Sequence, residues 1–131
     1  MSKIKFSKPL DVLIVEDSYF FSKWLSNELL TIENIHVAAL VDNVAEALNV
    51  LEQKNIDLAV IDIRLKTGLG TDILKSLKAN NPNVIVIIFT NYAEFKKECL
   101  KLGADYFYDK SNEFDELVES IINLSSVSFN D

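Results

Sequence analysis

The sequence predicts a doubly wound α/β fold in which five parallel strands alternate with five helices. Short, continuously apolar runs recur along the chain, as expected of strands buried on both faces of a parallel sheet. Segments with helical periodicity separate these runs. The connections are too short for anything except right-handed strand–helix–strand units, which place the helices on both faces of one sheet.

The first predicted strand, β1, covers residues 11–15 and is apolar from its second residue onward. Ser18 is a suitable N-cap for the first helix, α1, which is predicted over residues 18–30. The second strand, β2, is predicted over residues 35–41. Because His36 interrupts its apolar run, β2 is expected at an edge of the sheet.

The second helix, α2, is predicted over residues 43–53, because Asn43 and Glu46 have the spacing of a capping box. The third strand, β3, is predicted over residues 57–62, and the third helix, α3, over residues 71–79. The loop between them holds two of the three glycines. This part of the chain therefore continues the strand–helix alternation.

The fourth strand, β4, covers residues 84–89 and is the most apolar, so it is expected inside the sheet. Asn91 repeats the capping spacing, which predicts helix α4 over residues 91–102. Strand β5 and helix α5 are predicted over residues 104–108 and 112–124. The strand order 2-1-3-4-5 is the doubly wound solution for a five-stranded parallel sheet of this kind.

Length and composition indicate an ordinary globular domain: 131 residues, 49% hydrophobic and 25% charged. A single cysteine excludes an internal disulfide and fits a reducing compartment. The net charge of −7 argues against direct nucleic-acid binding, and no apolar run reaches the length of a membrane span. We therefore expect a cytoplasmic protein without membrane contact. The expected organisation is a lead-in at 1–10, the domain at 11–124 and a flexible tail at 125–131.

Acidic side chains follow two of the predicted strands. Glu16 and Asp17 come directly after β1, and Asp62 ends β3. The carboxyl ends of parallel strands meet at one edge of a sheet, where three carboxylates would repel each other unless a divalent cation lay among them. The pattern predicts a site for Mg²⁺ or, in its place, Mn²⁺. Asp17 and Asp62 would each give one oxygen, Glu16 would bind through water, and the Arg64 backbone carbonyl would add a further oxygen.

The same edge is suited to phosphoryl transfer. The Asp62 carboxylate can accept a phosphoryl group as a mixed anhydride. Lys110, after β5, supplies a cation and Thr90, after β4, a hydroxyl donor. Taken singly, Lys110 also fits a solvated surface lysine and Thr90 a helix cap, although Asn91 already fits the capping role.

Together these segments resemble the receiver domain of bacterial two-component response regulators, the CheY-like superfamily. The resemblance covers nearly the whole chain and implies a flavodoxin-like sandwich. The segments that carry it are Asp11–Ser18, Asp57–Leu65, Gly70, Thr90, Gly103–Asp105 and Lys110.

The resemblance implies that Asp62 receives phosphate from the phosphohistidine of a sensor histidine kinase or a phosphotransfer protein, in an Mg²⁺-dependent reaction. Thr90 would then move to hydrogen-bond the phosphoryl group, Lys110 would pair with it, and the switch aromatic Phe107 would swing inward. The face made by α4, β5 and α5 would change and bind a downstream protein or a second copy of the chain. We expect a signalling domain rather than an enzyme, acting as a stand-alone receiver.

Several residues depart from the family pattern. Lys66 and Ser111 stand where the family usually has proline, so we expect a more mobile loop after Asp62 and a trans peptide bond before Ser111. Asn91 replaces a smaller residue beside Thr90. Arg64 and Tyr92 occupy the positions that tune phosphate loss in the family. Because both are bulky, we expect a long-lived phosphoryl group.

Other functions of this fold fit the sequence less well. Haloacid-dehalogenase phosphatases need a second aspartate where Arg64 stands, and a flavodoxin-type cofactor site would not begin with two acids that repel phosphate. The remaining alternative is a receiver-like interaction module that takes no phosphate. His36 and Cys99 are expected to have no chemical role, at a strand edge and in the core respectively.

Overall fold

The computed structural model describes residues 8–127. Five parallel strands form one sheet in the order β2-β1-β3-β4-β5, as predicted. β4 lies inside the sheet and β2 at an edge. The strands are Leu10–Val15, Ile35–Val41, Leu58–Ile61, Ile85–Thr90 and Tyr106–Asp109. The helices α1 to α5 are Tyr19–Leu29, Val44–Gln53, Gly70–Asn80, Lys96–Lys101 and Phe114–Val127.

Alternation of side chains along each strand divides the core into two layers. In β4, Val86 and Ile88 face one layer, which also contains buried residues of α2, α3 and α4. Ile87 and Phe89 face the other layer, which contains buried residues of α1 and α5. The sheet is therefore covered on both faces, which explains the continuous apolar runs.

Two predicted helix starts are confirmed by their caps. The Ser18 hydroxyl accepts a hydrogen bond from the Phe21 amide at 3.2 Å, and the Asn43 side chain accepts one from the Glu46 amide at 2.9 Å. Each cap satisfies an amide of the first helical turn that has no partner within the helix.

The predicted start of α4 at Asn91 is wrong. A short 3-10 turn at Ala93–Phe95 precedes the helix, which begins only at Lys96. Instead of an Asn91 cap, the Thr90 hydroxyl accepts a hydrogen bond from the Tyr92 amide at 3.3 Å. Tyr92 has a non-helical backbone, with φ −100° and ψ 72°, so the chain turns before the helix can begin.

Helix α5 runs past its predicted end at residue 124, so residues 125–127 belong to the helix and not to a loose tail. Ser125 is buried at 4% exposure and its hydroxyl donates to the Ile122 carbonyl at 2.8 Å. Most of the predicted lead-in, residues 1–7, and the rest of the predicted tail, residues 128–131, lie outside the described part of the chain.

Candidate functional site

The three predicted acids come together at the carboxyl edge of the sheet. β1 pairs with β3 in a register that sets Val15 opposite Ile61, so Glu16 and Asp62 leave adjacent strands at the same level. One carboxylate oxygen from each of Glu16, Asp17 and Asp62 lies within 4.8 Å of the others. Glu16 and Asp62 are buried, at 4% and 5% exposure, whereas Asp17 is exposed.

Lys110 reaches this acidic cluster from the end of β5. Its amide donates to the Thr90 carbonyl at 2.9 Å, which fixes the backbone beside β4. Its Nζ lies 2.8 Å from Glu16 Oε1 and 2.8 Å from Asp62 Oδ2. The side chain is only 11% exposed, so Lys110 is a buried cation shared by two carboxylates and not a solvated surface lysine.

Burial and neighbouring charge shift the pKa values here. Burial is the largest effect on Glu16 and, with the Asp62 charge, raises its pKa to about 7, although the hydrogen bond from Lys110 acts in the opposite direction. Burial alone would lower the pKa of Lys110, but its hydrogen bonds to Asp62 and Glu16 outweigh burial and raise it. Lys110 therefore stays charged at neutral pH, while Glu16 is divided between its two protonation states.

A tight loop holds the Asp62 carboxylate in place. Asp62 Oδ1 accepts a hydrogen bond from the Ile63 amide at 2.7 Å, while Oδ2 faces Lys110. The Gly70 amide donates to the Ile63 carbonyl at 2.6 Å, which brings the start of α3 against β3. A Cβ on Gly70 would lie 2.1 Å from the Asp62 carbonyl oxygen. Only glycine allows this approach.

Two further segments border the site: Thr90 and Tyr92 at the end of β4, and Arg64 in the loop after Asp62. Thr90 is fully buried, and its hydroxyl is held by the Tyr92 amide. The Arg64 guanidinium carbon lies 4.9 Å from the centre of the Tyr92 ring, a cation–π contact between two loops at the site. The side chain of Asn91 is exposed, and an isolated antiparallel bridge joins Arg64 to Leu69.

Phe107 already faces inward. It is 6% exposed and packs in the same core layer as Ile88 and Cys99, on the α4 side of the sheet. Tyr106 and Tyr108 point to the opposite face, with ring centres 6.0 Å apart. The expected inward position of Phe107 is therefore the one this structure holds.

The residues that replace the family prolines use hydrogen-bond donors that proline lacks. The Lys66 amide donates to the Asp42 carbonyl at 3.1 Å, and its Nζ lies 3.3 Å from Asp42 Oδ2. These bonds tie the loop to the segment between β2 and α2. The Ser111 amide donates to Asp109 Oδ1 at 2.9 Å, and all peptide bonds of residues 8–127 are trans.

Neither His36 nor Cys99 lies near the acidic cluster. His36 is on the edge strand, with Nδ1 2.7 Å from Asp11 Oδ1 at the start of β1. Cys99 is fully buried in the core as predicted, and burial raises the pKa of its thiol to about 11.

Sequence reasoning missed Phe21 as a member of the site. Lys110 Nζ lies 4.5 Å from the centre of its ring. The sequence shows only that Phe21 shares one face of α1 with Trp24, Leu25 and Leu29, and this spacing predicts an apolar face rather than a contact with a cation.

The chemistry of the donor set fits a magnesium ion. Glu16, Asp17 and Asp62 offer hard carboxylate oxygens close enough to share one small divalent cation, and Asp17 keeps the cluster open to solvent. Lys110 contributes one positive charge beside three carboxylates, so this group of four side chains has a net negative charge when all are ionised.

The model of the response regulator receiver domain family matches residues 12–122 of this chain. The chain belongs to this family. As a receiver domain it is a module of two-component signalling. No helix formed by residues 8–127 is long and apolar enough to cross a bilayer.

Curated relatives of this receiver domain differ greatly in length. Sporulation initiation phosphotransferase F of Bacillus subtilis is 30% identical over 112 residues, covering 84% of this chain and 89% of the relative. A cyclic di-GMP phosphodiesterase of Thermotoga maritima is 31% identical over 103 residues, covering 77% of this chain but 27% of the relative. The chain spans about a quarter to a third of several longer relatives, including protein-glutamate methylesterases.

Solved structures share the fold. The non-phosphorylated HemR receiver domain from Leptospira biflexa has a TM-score of 0.79 at 25% identity, covering 91% of this chain and 95% of that one. The response regulator domain of Thermotoga maritima CheB has a TM-score of 0.80 at 21% identity, covering 95% and 98%. These likenesses agree with the flavodoxin-like sandwich that the sequence predicted.

Proposed function

We propose that this receiver domain accepts a phosphoryl group on Asp62 from the phosphohistidine of a histidine kinase or a phosphotransfer protein, in a reaction that needs Mg²⁺. One observation carries the proposal. The buried Asp62 carboxylate is fixed by the Ile63 amide and Lys110 Nζ, next to two further acids. A carboxylate that is held in place, beside a cation and a divalent-metal donor set, meets the main requirements of phosphoryl transfer.

In the proposed reaction, an Asp62 carboxylate oxygen attacks the phosphorus atom and the bond from phosphorus to the donor imidazole nitrogen breaks. The products are an acyl phosphate on Asp62 and a free imidazole on the donor. Asp17, Asp62, the Arg64 carbonyl and, through water, Glu16 would hold Mg²⁺, which would supply neutralising charge. Lys110 exchanges its bond to Asp62 Oδ2 for a phosphoryl oxygen.

The proposed switch begins at Thr90. In this structure the Thr90 hydroxyl accepts a hydrogen bond from the Tyr92 amide at 3.3 Å. To donate to the phosphoryl group, the hydroxyl turns away from that amide. Tyr92 leads into the turn before α4, so this exchange loosens the start of that helix. Phe107 lies in the same core layer as Cys99 of α4 and already holds the inward position. The surface formed by α4, β5 and α5 therefore differs between the unphosphorylated and the phosphorylated domain.

Intact mass spectrometry tests phosphoryl acceptance. Incubation with Mg²⁺ and a small acyl-phosphate donor is expected to add one phosphoryl group to the parent and none to Asp62→Asn, because the amide cannot form the anhydride. A chelator is expected to prevent the gain. Asp57→Asn is a matched control, since Asp57 is a half-buried acid just before the opposite end of β3. It should gain phosphate like the parent.

A parent that gains nothing, either from the small donor or from a phosphorylated histidine donor, would contradict the proposal. The domain would then act as a receiver-like module that works by constitutive contact.

We further propose that Arg64, Asn91 and Tyr92 lengthen the life of the phosphoryl group, with the Arg64–Tyr92 contact covering the site against water. Arg64→Ala or Tyr92→Ala is expected to speed hydrolysis about three- to tenfold, the factor that a partly exposed cation–π contact can supply. The decay of phosphorylated protein after donor removal measures this rate. Tyr92→Phe keeps the ring and should keep the lifetime. Equal lifetimes in all four proteins would show that the contact does not shield the phosphate.

For the partners, we propose that the phosphodonor approaches over the exposed Tyr19 and Phe20 of α1, which only Ser18 separates from the acidic pair Glu16 and Asp17. A downstream protein or a second copy would bind at α4, β5 and α5, where Leu100 is 43% exposed and edge strand β5 carries the stacked Tyr106 and Tyr108. Sedimentation before and after phosphorylation tests the second-copy version.

A further inference from the structure

We propose that Phe21 is a positioning residue for Lys110, and that its ring holds the ammonium in place by a cation–π contact while phosphate is transferred. The inference rests on the proposed function, because it assigns Phe21 a part in the same reaction. Its starting point is the distance of 4.5 Å from Lys110 Nζ to the centre of the Phe21 ring. An ammonium over an aromatic face at this distance is attracted by the electrons of the ring.

The contact completes the surroundings of the Lys110 ammonium. Lysine has three N–H donors and no acceptor. Two hydrogen-bond partners are Glu16 Oε1 and Asp62 Oδ2, each at 2.8 Å. The ring of Phe21 covers a further side of the ammonium, whose side chain is 11% exposed. Because the Lys110 side chain is largely buried, the attraction is stronger here than on an open surface.

Other aromatic rings fix the position of Phe21. Its ring centre lies 5.2 Å from that of Trp24 and 5.8 Å from that of Phe89. Phe114 of α5 closes the group, at 4.5 Å from Trp24 and 6.4 Å from Phe89. Because α1, β4 and α5 all contribute to this aromatic group, the ring under Lys110 rests on rigid elements and not on a loop.

The contact does not depend on the bond that Lys110 gives up during transfer. Lys110 must leave Asp62 Oδ2 for a phosphoryl oxygen, so one of the two hydrogen bonds that hold its ammonium is exchanged. The contact with Phe21 depends on neither acid and persists through that exchange. The ammonium therefore stays aimed at the site instead of turning toward solvent. A leucine in this position would fill the space but would not attract the cation.

Fluorination of the Phe21 ring distinguishes attraction of the cation from simple filling of space. Fluorine withdraws electrons from the face of the ring while changing its shape little. Phenylalanine with one, two or three ring fluorines at position 21 is expected to slow phosphorylation of Asp62 stepwise, by about three- to tenfold over the series. The same series at Phe114, which belongs to the aromatic group, is the matched control and should leave the rate unchanged. A rate that does not depend on fluorination at position 21 would overturn the proposal.

Two substitutions by standard amino acids and an NMR measurement without metal complete the test. Phe21→Tyr should keep the phosphorylation rate of the parent, whereas Phe21→Leu should slow phosphorylation as much as the trifluorinated ring does. In NMR spectra without metal or donor, the ε-methylene protons of Lys110 should be shifted upfield in the parent and not in Phe21→Leu. An unshifted parent signal would refute the contact whatever the phosphorylation result. A shifted signal in a parent that takes no phosphate would contradict the proposed function and, with it, the role of Phe21 in transfer.

Discussion

Lys110→Met is expected to destabilise the protein by about 3 kcal/mol at pH 8 and by much less at pH 5. The substitution removes the cation between two buried carboxylates while methionine keeps most of the side-chain volume. Removing one partner of a buried ion pair costs about 3–5 kcal/mol, because a buried charge is left uncompensated. Urea unfolding in the presence of a chelator measures the difference at each pH.

The sign of the pH dependence follows from Glu16. Its pKa is raised in the folded protein, from 4.5 to about 7, so between these values the folded state binds more protons than the unfolded state. The stability that Glu16 contributes is therefore present below 4.5 and is lost as the pH rises toward 7. The hydrogen bond from Lys110 lowers the pKa of Glu16. Without Lys110, the loss of stability with rising pH is therefore larger and extends to higher pH.

Lys66→Met is the control for this prediction. Lys66 also pairs with a carboxylate, Asp42, at 3.3 Å, but its side chain is 64% exposed. Exposed pairs contribute about 0–1 kcal/mol, so a small effect is expected at both pH values. Mg²⁺ should stabilise Lys110→Met more than the parent, because it would replace the missing positive charge. Equal destabilisation at pH 5 and pH 8 would mean that the effect of Lys110 does not depend on the charge of Glu16.

Gly70→Ala is expected to cost about 2–3 kcal/mol of stability, near the upper end of the range for overpacked sites. The new Cβ would lie 2.1 Å from the Asp62 carbonyl oxygen and 2.8 Å from Ile61 Cγ2, and the first of these atoms belongs to the backbone. Relief therefore requires α3 to move away from β3, which displaces the loop after Asp62. Phosphorylation should slow together with the loss of stability.

Thermal unfolding of Gly70→Ala beside Thr67→Ala measures this cost. Thr67 lies in the same loop with an exposed side chain, so its replacement should change the free energy of unfolding by less than about 0.5 kcal/mol. If Gly70→Ala were as stable as the parent, the close approach of α3 to Asp62 would not exist in solution.

The strand pattern and the acids at its ends could be predicted because they follow from local sequence. Continuous apolar runs mark strands buried on both faces, and parallel strands bring their carboxyl ends to one edge. Glu16, Asp17 and Asp62 therefore had to meet once the strand order was known. Asn43 was also predictable, since a cap depends on residues three positions apart.

Contacts between distant segments could not be predicted in this way. The start of α4 was wrong because Asn91 has the spacing of a cap, whereas Tyr92 is held by Thr90 and by Arg64 from another loop. The contact of Lys110 with Phe21 depends on how α1 packs over the end of β5, and no spacing in the sequence records that packing.

The division of the core into two layers has a consequence for the order in which parts of the protein fold during synthesis. The layer packed by α2, α3 and α4 draws most of its residues from the middle of the chain. The other layer joins Leu25 of α1 to Leu117 and Ile121 of α5, across most of the length of the chain. During synthesis, α1 can pack against residues of β1 and β3 early, but its layer is complete only when α5 has left the ribosome. Closing so long a loop makes this layer the slower to form, because contacts distant in sequence cost more entropy to bring together.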